Sequence, residues 1–140
     1  MKRNLVYALI IIAFIGFVDA FYLTAVHYSN VSLPCFITEG CDIVTTSKYS
    51  EILGLPVSLL GTFFYLVIFI SGLLYVDKNN KLVLKIIHII TFVGFLLTLR
   101  FLYLQAIIIK SWCSYCLVSA LTSILLFVLS AYLYHKKNLN

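Results

Sequence analysis

Four cysteines stand in this chain as two pairs, Cys35 with Cys41 and Cys113 with Cys116. Two thiols that close to a disulfide and reopen form a two-electron couple, and two such couples within reach of each other make an electron relay. Trp112-Cys113-Ser114-Tyr115-Cys116 is a Cys-x-x-Cys run at the start of a predicted helix. At that spacing both sulfurs share one helix face, and the helix dipole favours a thiolate there. Cys35 and Cys41 flank Phe36, Ile37, Thr38, Glu39 and Gly40. Six residues of chain reach at most about 20 Å, enough to carry Cys41 between an exposed partner and the membrane surface. Two plainer readings compete with a relay. A four-cysteine zinc site is disfavoured because zinc pairs are usually spaced by two to four residues and five separate Cys35 from Cys41, so no metal is expected. A pair of structural disulfides stapling an exposed loop is the stronger competitor.

The elements that must position these thiols are membrane helices. Of 140 residues, 63% are hydrophobic and only 11% charged, against roughly a quarter charged in soluble domains. Four apolar runs reach the roughly 20 residues a crossing requires: about 5–27, 56–76, 82–109 and 113–133. Lys2 and Arg3 precede the first run as they would a signal peptide, but the run is too long and lacks a small-residue cleavage site, so a retained helix is expected. The polar turn Asp77-Lys78-Asn79-Asn80-Lys81 is short, which makes its helices antiparallel neighbours. The fold class is an all-α four-transmembrane-helix bundle, a single domain over 1–140 with an outer loop at 28–55. Within that loop a short helix is expected from Asp42 to about Ile52, capped by Asp42 and lying over the mouth of the bundle, with Ser47 on or near its inward side. Pro56 fits the first turn of the second span.

Basic residues orient the bundle. Lys2, Arg3, Lys78, Lys81, Lys85, Lys136 and Lys137 flank one side, while the opposite loops hold Lys48 and Lys110. The positive-inside rule then predicts a multi-pass cell-membrane protein with both termini cytoplasmic and all four cysteines on the outer, oxidising face. The net charge of +5 falls where anionic membrane lipid would meet it and calls for no nucleic acid.

Polar residues inside the spans are the remaining candidates. Asp19 interrupts the first span about 12 Å below its outer end, and Arg100 lies about 15 Å below the outer end of the third. At similar depths the two can pair, and a structural ion pair stands beside a role in binding or proton transfer. Tyr22, Thr24, Ser58, Tyr65, Tyr103 and Gln105 occupy the outer halves of their helices. Singly such groups serve as interfacial anchors or packing contacts, and together they could line a pocket beneath the loop helix. His27 is expected at the interface and His88 toward the cytoplasmic half, away from the thiols.

Laid out in this way, the chain resembles the vitamin K epoxide reductase family over nearly its whole length. The resemblance is carried by Cys35 and Cys41, by Cys41-Asp-Ile-Val-Thr-Thr-Ser47-Lys-Tyr-Ser, by Gly54-Leu-Pro-Val-Ser58-Leu-Leu-Gly61 with Tyr65 beyond it, and by Trp112-Cys113-Ser-Tyr-Cys116. It implies that Cys35 exchanges with a thioredoxin-like dithiol, that Cys41 passes electrons to Cys113, and that Cys116 faces a quinone of ubiquinone, menaquinone or vitamin K type. Ser47 matches the family's loop-helix serine near the active site, and Asp19, Ser58, Tyr65, Gln105 and Tyr115 are the candidate quinone contacts. This compact chain lacks the fused thioredoxin-like domain of some bacterial members, so its partner is expected to be a separate protein. Two departures bear on the acceptor. Val57 stands where the animal enzymes carry a quinone-bonding asparagine, and Ala120 replaces the family's tyrosine four residues after the second cysteine of Cys-x-x-Cys. Thiol oxidation coupled to quinone reduction needs neither, whereas epoxide reduction is not implied.

The other bacterial quinone-linked disulfide oxidase also has four helices and two cysteine pairs, but there Cys-x-x-Cys comes first in chain order, and here it comes last. The alternative from another class is a structural or accessory membrane protein with a disulfide-stapled outer loop.

Overall fold

The computed structural model describes residues 2–29, 51–52, 55–109 and 114–139. Four long helices account for nearly all of them: α1 (Lys2–Ser29), α2 (Val57–Lys78), α3 (Lys81–Tyr103) and α4 (Ser114–Leu139). Four stretches are long and apolar enough to cross a membrane, Arg3–Val26, Val57–Lys78, Lys81–Ile107, which runs past the end of α3, and Tyr115–Lys137. These coincide with the four spans expected from run length.

In sequence order the helices close a ring, with α1 against α2 and α4, and α3 against α2 and α4. The core repeats at helical spacing. Val6, Leu9, Ile10, Ala13, Ala20 and Leu23 are buried on α1, and Ile68, Leu84, Ile87, Leu126 and Leu133 meet them from the other helices. The outer faces are apolar too, as at Ile11, Phe14, Ile70, Phe92 and Val128, each about half exposed or more. That pattern suits a lipid surround, in which no hydrophobic force drives helices together and association rests on close packing and interhelical hydrogen bonds. The interior accordingly holds small and hydroxylated residues. Thr24, Thr62, Thr91, Thr122, Ser123 and Ser130 are all buried. Thr98 donates to Ser123 Oγ at 3.0 Å, and the Thr91 and Ser130 hydroxyls lie 2.7 Å apart.

The α2–α3 connection is as tight as its composition suggests. Asn79 takes a positive φ of 49°, which asparagine tolerates better than most side chains. Asn80 caps α3, its Oδ1 accepting from Leu82 N at 2.9 Å. Lys137, in the last turn of α4, reaches over this turn. Its Nζ donates to Asn79 O at 2.9 Å and Oδ1 at 2.8 Å, and lies 4.8 Å from the Tyr75 ring centre.

Two features differ from expectation. The loop helix expected from Asp42 falls mostly outside the described residues, but its last two positions are not helical. Glu51 and Ile52 pair antiparallel with Leu55 and Pro56, in the register Glu51 to Pro56 and Ile52 to Leu55. A residue before proline is driven to extended backbone, which fixes Leu55 and with it the ladder. For the same reason α2 opens at Val57, with Pro56 in the strand rather than in the first helical turn. At its C-terminal end, α3 passes into a π-helical turn at Leu104–Ile109. No sequence signal announced it, and such turns cluster at functional sites.

Candidate functional site

The half of the bundle toward the start of α4 is organised by an α1–α2 seam. A side chain at Gly16 would collide with the Tyr65 ring, and one at Gly61 would meet Ala20 Cβ at 3.7 Å. Only glycine at 16 leaves room for the aromatic ring against the α1 backbone. Tyr65, 1% exposed, therefore crosses the bundle interior and reaches α4. Its hydroxyl donates to Ser119 O at 2.7 Å and lies 2.8 Å from Thr122 Oγ1 and 3.1 Å from Ser119 Oγ. Thr122 also donates to Ser119 O, at 2.8 Å. One turn outward on the same seam, Thr24 and Thr62 bring their hydroxyls to 3.4 Å. They donate at 2.8 Å to Ala20 O and Ser58 O respectively, satisfying themselves within their own helices.

Cys116 sits in the first turn of α4, half-buried, one turn outward of Ser119. Beside it in sequence, the Tyr115 ring lies 5.4 Å from that of Tyr22 on α1, tilted by 44°. Gly16, Asp19 and Tyr22 follow one another at three-residue intervals, so Asp19 shares an α1 face with a residue that touches Tyr65 and another that touches Tyr115. Its Oδ2 is buried and has no hydrogen-bond partner among the described residues.

The candidate residues thus divide. Tyr65 is bonded to α4 at Ser119, Tyr115 meets Tyr22, and Asp19 lies on α1 between the residues that make these two contacts. Ser58 is half-buried at the start of α2, and Gln105 is 3% exposed within the π-helical turn. Tyr103, 54% exposed, faces outward. Cys35, Cys41, Ser47 and Cys113 lie outside the described residues. The pairing considered for Asp19 and Arg100 is not formed. Arg100 is exposed on α3, two residues past Thr98, which faces α4; two residues turn a helix by about 200°, so Arg100 points away from the interior. His88 lies in the half of α3 nearer Lys81, stacked against Phe127 and Tyr134 with ring centres 5.9 and 5.1 Å away. Ser119, Thr122 and Gly16 were missed by sequence reasoning. Ser119 and Thr122 had a signal in their spacing, three and six residues after Cys116 on the same helix face.

A bundle of four helices able to span a membrane, with a cysteine in the first turn of its last helix beside a buried polar cluster, defines a class of integral membrane thiol proteins. The model of the vitamin K epoxide reductase family matches residues 7–131, and the chain belongs to that family. Among curated proteins, no individual relative matches it. Membership supports a membrane thiol-oxidoreductase role for a multi-pass protein, in a family that generally uses quinones and a redox partner.

Proposed function

We propose that this chain is a membrane thiol:quinone oxidoreductase that oxidises a separate thioredoxin-like protein and so supports disulfide-bond formation. Electrons enter at Cys35, pass through Cys41 to Cys113, and leave from Cys116 to the quinone. Both termini are cytoplasmic in this reading, and the cysteines work at the outer face, with Ser47 supporting them from the loop. The observation that carries the reading is the position of Cys116 at the outer start of α4, beside the Tyr22–Tyr115 aromatic pair and one turn above the Tyr65–Ser119–Thr122 cluster.

The residues present suit a quinone, a flat apolar ring with a polar oxygen at each end. Such sites combine aromatic walls with few polar groups. Tyr22 and Tyr115 offer the walls, and Asp19 Oδ2 is a buried polar atom with no partner among the described residues. The chemistry balances without a further co-reactant. A dithiol gives up two electrons and two protons on forming its disulfide, and a quinone takes up two of each to become the quinol.

The test uses the purified full chain in lipid nanodiscs with a reduced thioredoxin-like protein and a short-chain quinone. Quinol should form in step with partner oxidation, and Cys116→Ala should stop quinol formation. A stapled structural protein would keep all its cysteines oxidised and reduce no quinone.

A further inference from the structure

Asp19 carries a buried carboxyl oxygen that no hydrogen bond or ion pair satisfies among the described residues. An unpaired carboxyl group in the hydrocarbon region is costly, and intramembrane acids mark proton pathways more often than they mark scaffolding. Its Oδ2 is enclosed without a hydrogen-bond partner among the described residues, and Arg100, the cation at comparable depth, is exposed on α3. The placement is specific. One turn inward on the same α1 face, Gly16 carries the Tyr65 ring, whose hydroxyl is bonded into α4 at Ser119. One turn outward, Tyr22 meets the neighbour of Cys116. Asp19 also lies close enough to Tyr65 to interact with it electrostatically.

We infer that Asp19 is the carboxyl group that delivers a proton to the quinone as Cys116 delivers electrons. The inference rests on the quinone-reducing reading above and adds to it the proton donor. When the Cys113–Cys116 disulfide forms, the dithiol releases two electrons and two protons. The quinone receives the two electrons; one proton reaches its Asp19-side oxygen from the carboxyl group and the other comes from the dithiol. The carboxylate then takes up the second dithiol proton, so the acid is restored and no outside acid is consumed. The Asp19 oxygen that has no partner among the described residues is the one that would meet the ligand.

The experiment uses the full chain in nanodiscs, reduced with dithiothreitol and offered a short-chain ubiquinone or menaquinone, whichever the wild type turns over faster. Asp19→Asn should bind the quinone within about threefold of wild type yet form quinol about 100-fold more slowly, the loss typical of removing a general acid. Asp19→Glu, which restores the acid, should recover most of the rate. Infrared difference spectra between the quinone and quinol states of the wild type should show a carboxyl-group band that Asp19→Asn lacks, a signature that a merely structural role would not produce. Quinol formation by Asp19→Asn at the wild-type rate, or a wild-type spectrum without that band, overturns the inference and leaves the quinone reading standing. A wild-type chain that reduces no quinone overturns both.

Discussion

The Tyr65 ring lies against the backbone of Gly16, so closely that its Cδ1 stands 2.6 Å from where a Cβ on Gly16 would be. This contact lets a residue of α2 cross the bundle and bond to α4. Gly16→Ala should therefore force the ring aside and cost about 1–3 kcal/mol, the usual range for overpacking a filled interior. Gly61→Ala, where the nearest atom is Ala20 Cβ at 3.7 Å, should be tolerated. Thermal unfolding of both variants in the same detergent checks the contrast.

Tyr65→Phe keeps the ring and removes the link to α4. Thr122 still donates to Ser119 O, so the loss is partly covered. A destabilisation of about 0.6 kcal/mol, and no more than about 1.7, is expected from measured interhelical hydrogen bonds in membranes. Unfolding equilibria in mixed micelles would read it.

Arg100→Leu should leave stability unchanged within about 0.5 kcal/mol, as for surface positions with no specific partner. Had Arg100 paired with Asp19 in the interior, breaking that pair would cost about 3–5 kcal/mol. The same unfolding measurement separates the two arrangements.

Removing one member of the outer pair should trap the transfer it completes. With Cys41→Ser, Cys35 has no neighbour to resolve its bond to the partner, so a mixed disulfide should accumulate after acid quenching and run as a larger species on a non-reducing gel. Its absence under conditions that trap a known thioredoxin-like exchange would favour the stapled-loop alternative.

Orientation is checked by fusion reporters. Green fluorescent protein joined after Asn140 should fluoresce, because that end is expected in the cytoplasm, while alkaline phosphatase at the same junction should be inactive.

The helices were legible because a crossing segment is specified by length and apolarity alone, and the four runs had both. Asp19 and Arg100 show where such reading stops. Counting residues from a helix end gives depth, and both depths were similar; it does not give direction around the helix. Direction was nonetheless partly in the sequence, since Leu84, Ile87, Thr91, Gly94 and Thr98 recur at helical spacing and Arg100 falls off that stripe. Tyr65 was recognised as a polar residue in the right half of its span. That it would lie on Gly16 and bond to Ser119 depended on the register between α1, α2 and α4, a tertiary property no single segment encodes. The π-helical turn holding Gln105 was silent for a different reason, because one extra residue in a helical turn leaves no compositional mark.

Lys137 ties α4 to the α2–α3 turn through Asn79 and Tyr75. Three of the four helices are thereby knotted at the end of the bundle that carries Lys78, Lys81 and Lys137. Tyr65 fastens α2 to α4 a second time, at Ser119, farther along the bundle. Cys116 lies one turn beyond that second fastening, so its sulfur stands on the stretch of α4 past both ties.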